Sequence, residues 1–241
     1  MLTALTGLAA GSVPGRIRVG VALIFTVAVD MGLGGVAVAM PDGPISLGLI
    51  IFREVFIGAG MGMAIRLLIT AMEVAGSLAG ISMGLSMNVF VDPASGDQSL
   101  SLGALLGVCA ALVFVTLDGH RMVLLTLVGH LQHFPPGQLV LQIPDAATIA
   151  SLGSSMIETA LQLSAPVIVT TLAVNIGLAF VARTVPSANI FAIGLGAMIL
   201  GGLLALATQG DAVVILIQQG LERLPMDMVR LSGTGPAAGG L

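Results

Sequence analysis

Ala75-Gly76-Ser77-Leu78-Ala79-Gly80-Ile81-Ser82-Met83-Gly84-Leu85-Ser86-Met87-Asn88-Val89-Phe90-Val91 carries no charge and places Gly76, Gly80 and Gly84 four residues apart. Residues four apart share one face of an α-helix. Glycine on such a face lets a second backbone approach closely, as in tightly crossed membrane helices. The stretch therefore predicts a helix with a small-residue seam against another helix. Asp92-Pro93-Ala94-Ser95-Gly96-Asp97-Gln98 follows it, polar and rich in breakers, and reads as a loop.

Outward from this seam, long apolar runs recur. Upstream, residues 47–72 are long enough to cross about 30 Å of hydrocarbon as a helix, but contain Arg53, Glu54 and Arg66. Val19 to Met40 is apolar apart from Asp30 and closes on Pro41-Asp42-Gly43-Pro44. Downstream, Leu100 to Leu117 is uninterrupted. After Asp118-Gly119-His120-Arg121 a further apolar run reaches Leu131, fitting one kinked helix or a pair. Pro135-Pro136-Gly137 to Pro144 reads as a connection, because adjacent prolines fix φ and remove donors. Ala146 to Ala182 holds one charge, Glu158, and exceeds a single span; Pro166 near its middle predicts two helices meeting at Ser164–Pro166. Ala188 to Thr208 is of spanning length, and Asp211 to Leu224 reads as a final amphipathic helix.

The composition agrees. Of 241 residues, 56% are hydrophobic and 8% charged, and the mean hydropathy is +1.10. Eight arginines and twelve acids cannot cover a 24.2 kDa particle with a polar shell, so lipid or apolar protein must cover it. Tryptophan and tyrosine are absent, so the aromatic belts of ordinary lipid-facing spans are missing. A net charge of -4 from scattered acids indicates no nucleic-acid partner. Barrel-length alternation of apolar and polar residues is also missing. The expectation is an all-α membrane helical bundle of about six hydrophobic helices, some broken or kinked. It forms a single domain over residues 1–231, followed by a disordered Gly/Pro/Ala tail at 232–241. The first residues carry no positive n-region, so a cleaved leader is not expected.

Chemistry has few candidates. Gly58-Ala59-Gly60-Met61-Gly62 lacks the strand context and the Gly-Lys-Ser/Thr of a phosphate loop, so Gly58 and Gly62 read as helix-packing residues. His120, His130 and His133 have only Asp118 to complete a ligand set, and no metal or cofactor is expected. Cys109 lies inside an apolar run and reads as a small buried hydrophobe. No nucleophile elbow is present, and no residue is assigned a catalytic role. The charges within apolar stretches, Arg53, Glu54, Arg66, Glu73 and Glu158, are costly at membrane depth and face a cavity or a partner. Two readings follow from them. They lock helices together, or an acid such as Glu54 or Glu158 carries a coupling proton in a secondary transporter whose helices break near Pro166.

Several consecutive motifs resemble the FliR family of flagellar export proteins, called SctT in injectisomes. They are Ser12-Val13-Pro14-Gly15-Arg16-Ile17-Arg18, Glu54-Val55-Phe56-Ile57-Gly58 with Gly62, and the seam from Ala75 to Ser86 followed by Phe90-Val91-Asp92-Pro93. Phe114 with Asp118-Gly119-His120, Phe134-Pro135-Pro136-Gly137, Ala165-Pro166, Asn175 and Arg183-x-x-Pro186-x-x-Asn189-Ile190-Phe191 with Gly194 continue it in order. Ser77 stands where the family commonly has glutamate and Ser82 where it commonly has glutamine, and by the resemblance the amino terminus is expected to lack most of the family's first hydrophobic helix.

The resemblance implies one subunit joining FliP-like and FliQ-like subunits, with an FlhB-like subunit nearby, in an export gate at the bacterial inner membrane. Most apolar surface would then face protein, and unfolded export substrates would pass through. It also implies that Met87, Asn88, Val89, Phe90, Val91, Asp92 and Pro93 form a plug loop projecting into the closed channel. Bulky Met87, Phe90 and Val91 suit such a block, and Pro93 and Gly96 break the helix beside it.

Overall fold

The computed structural model describes residues 14–32, 43–85, 102–133, 146–184 and 190–231. The elements there are all helices: α1 (Gly15–Gly32), α2 (Pro44–Ser82), α3 (Leu102–Thr116), α4 (Gly119–His133), α5 (Ala146–Thr184), α6 (Ile190–Ala207) and α7 (Gly210–Leu231). The all-α expectation holds, with seven helices among the described residues against the expected six or so. α2 and α5 are each long and apolar enough to cross a membrane, and the bent pairs α3–α4 and α6–α7 raise the count to four if each is one span.

The ends of these helices follow from local chemistry. Pro44 opens α2, where its missing N–H costs nothing. Ser46 reaches back to accept a hydrogen bond from Gly43 N at 3.1 Å while its hydroxyl donates to Gly43 O at 2.7 Å. At the other end Gly84 takes a φ of 79° and its N–H bonds to Ile81 O at 3.0 Å, a left-handed terminus suited to glycine. Between them the apolar run 47–72 and the glycine seam form one helix of 39 residues. Glu73, which separates them in sequence, is a polar side chain and leaves the backbone ladder intact.

α3 and α4 are a pair, bent by 65°. The corner is Asp118, at φ 55°, a left-handed conformation that aspartate tolerates better than most residues. Its N–H bonds to Val115 O at 3.1 Å, and its carbonyl accepts from Arg121 N at 2.9 Å and Met122 N at 3.1 Å, closing one helix and opening the next. α6 and α7 are bent by 54°, with Gln209 N bonded to Leu206 O at 2.9 Å and Val213 N to Gln209 O at 3.0 Å at the turn.

The two helices expected to meet near Pro166 are instead the single helix α5, with the proline inside it. Proline removes one backbone bond from a helix of 39 residues. The turn around it is held by its surroundings: Leu163, Ser164, Val167 and Thr171 are all buried. Thr170 Oγ1 also donates to Pro166 O at 2.8 Å. α7 likewise runs past Leu224 and through Pro225 to Leu231, because Leu224, Met228 and Leu231 are buried along one face.

The chain divides into two compact units, one drawn from Met1–Leu68, Phe114–Ser154 and Gln218–Leu241, the other from Ile69–Val113 and Ser155–Ile217. In the first, Phe114 is fully buried, and a Cβ on Gly119 would meet its ring at 2.7 Å and Leu221 Cδ2 at 2.8 Å, so the α3–α4 corner packs tightly on α7. In the second, Ala79, Met83 and Val167 form the core, flanked by Leu102, Ala205 and Leu206. Large apolar side chains remain exposed along nearly every helix, including Ile24, Ile45, Val108, Leu112 and Phe180. A single chain in water could not sustain that surface; it suits lipid or protein neighbours.

Candidate functional site

The glycine seam lies in the second unit, where the last turns of α2 cross the first turns of α3. A Cβ on Gly76 would stand 2.6 Å from Leu102 O, 2.7 Å from Gly103 Cα and 2.9 Å from Gly103 N, so backbone meets backbone there. Gly103 answers from α3: a Cβ on it would fall on Ser77 Oγ and stand 2.6 Å from Glu73 O. Gly80 makes an ordinary contact, with Leu102 Cβ 3.6 Å from its would-be Cβ, and Gly84 faces Leu195 Cδ1 at 3.1 Å. In the first unit Gly62 is buried on α2, whereas a Cβ added at the half-buried Gly58 would meet nothing within 4 Å. The partner glycines Gly103 and Gly107, and Gly202 on α6, escaped the sequence reading. Gly103 and Gly107 share the four-residue spacing of the seam, and that was the available signal.

Met87, Asn88, Val89, Phe90, Val91, Asp92 and Pro93 lie outside the described residues. The scaffold on either side of them is described. Met83 is fully buried in the core of the second unit. α6 leaves a slot for it, since a Cβ on Gly202 would meet Met83 Cγ at 2.5 Å and Cε at 2.6 Å. The chain leaves this anchor through Gly84 and Leu85 and is described again from Leu102, whose carbonyl lies against Gly76 and whose Cβ lies against Gly80. Both feet of the intervening segment are thus clamped on the last turns of α2.

Each unit holds its own share of the five charges. Arg53, buried, contacts its neighbour Glu54 with Nη1 2.7 Å from Oε1, and Arg66 is exposed further along α2; these belong to the first unit. In the second, Glu158 is exposed and accepts a bond from Gln162 Nε2 at 3.2 Å within α5. Glu73 is exposed on α2, its side chain laid over α3 so closely that a Cβ on Gly107 would meet its Cγ at 2.6 Å and its Oε1 at 2.9 Å. Among the described residues no three His, Cys, Asp or Glu side chains are grouped to hold a metal ion. The helix break at Pro166 on which the transporter reading drew is not there.

Comparison with known proteins adds an independent line. The family model for bacterial export proteins, family 1, matches residues 1–224. The chain is 32% identical over 150 residues to the flagellar biosynthetic protein FliR of Bacillus subtilis, covering 61% of this chain and 58% of that protein. It is 30% identical over 187 residues to the FliR protein of Escherichia coli, covering 76% and 69% respectively. With the FliR protein of Caulobacter vibrioides it shares 27% identity over 217 residues, 89% of this chain and 86% of the relative.

Proposed function

The chain belongs to the bacterial export proteins, family 1, and from that premise we propose that it is a structural and gating subunit of the flagellar type III export gate. The observation that carries the proposal is the match to FliR proteins over most of the chain. In this role it sits in the bacterial inner membrane with FliP-like and FliQ-like subunits and an FlhB-like neighbour, and forms part of the conduit for unfolded export substrates. It supplies shape and movement, with no chemical step of its own. Residues 87–93 act as the plug, and the half-buried Gly58, where an added Cβ would meet nothing within 4 Å, offers a close approach to a neighbouring subunit.

The physical features of the chain support this reading. Its exposed apolar side chains, found along nearly every helix, call for apolar neighbours. A plug needs a fixed base, and the buried Met83, the Gly76–Gly103 crossing and the left-handed Gly84 provide one on both sides of the segment.

Native mass spectrometry in mild detergent tests the proposal, using the tagged chain co-expressed with the FliP-like and FliQ-like proteins of its own organism. One tagged chain among several copies of those partners is expected. A single chain or homodimer that ignores them refutes it.

A further inference from the structure

We draw no further inference here: the strongest candidate, the exposed apolar face of α2 that carries Ile45, Leu49 and the stacked Phe52–Phe56 pair, is an unpartnered helix face, and nothing in the structure shows what covers it.

Discussion

One substitution, made at two glycines of the same helix, should move stability in opposite directions. At Gly58 nothing lies within 4 Å of an added Cβ, so alanine there brings only its better helix propensity, about 0.5–1 kcal/mol. At Gly76 the same methyl would sit 2.6–2.9 Å from Leu102 O, Gly103 Cα and Gly103 N. These are backbone atoms, which cannot rotate away. Restoring ordinary contact distances of about 3.5 Å requires α2 and α3 to separate by roughly 1 Å. Overpacking of this kind costs about 1–3 kcal/mol, so Gly76→Ala should be destabilising by about 1–2 kcal/mol after its propensity gain. The propensity gain is common to both, so the gap between the two variants is the overpacking cost itself, about 1–3 kcal/mol, or roughly 2–12 °C in Tm for a chain of this size. Without tryptophan or tyrosine, intrinsic fluorescence reports little, so the melt is followed by helical circular dichroism of the isolated chain in detergent. A Gly76→Ala variant that melts at or above Gly58→Ala would falsify the close crossing.

Three other perturbations address the anchor, the buried charge and the plug. Met83→Ala should empty a fully buried side chain from the core that anchors α2 and cost about 2–5 kcal/mol in the same melt; a loss below that range would mean the slot beside Gly202 collapses. Glu54→Ala strips the carboxylate from a buried guanidinium and should cost about 1–3 kcal/mol, whereas Arg66→Ala, at an exposed position, should change the Tm little. Deleting residues 87–91 should leave the gate assembled by native mass spectrometry while making the membrane leaky to small ions; an assembled gate with unchanged leakage removes the plug assignment.

Legibility in the sequence varied with the kind of information each element needs. The all-helical class, the corner at Asp118-Gly119 and the break before α2 at Pro41–Pro44 were readable because they depend on local residues: apolar runs and turn formers. Pro166 misled because the loss of one backbone bond is visible in sequence, but the buried Leu163, Ser164 and Val167 that hold the turn are contributed by packing. Pro225 did the same at the end of α7. The seam was half legible. Gly76 and Gly80 announced a close approach, yet nothing local indicated that α3 would be the element approaching, or that Gly103 would be the contact. For the same reason nothing local indicated that the Glu73 side chain would lie against Gly107. Assembly and gating came from motif order, which carries information that periodicity does not.

The two helices of 39 residues have a consequence for how a cell handles this protein. At 1.5 Å per residue each runs about 58 Å, nearly twice the hydrocarbon thickness of a bilayer. Neither lipid nor water alone suits such a rod along its whole length. If the subunits proposed above cover that excess length, the chain made without them should be short-lived, and its half-life in a pulse-chase with and without those subunits would show whether its abundance follows theirs.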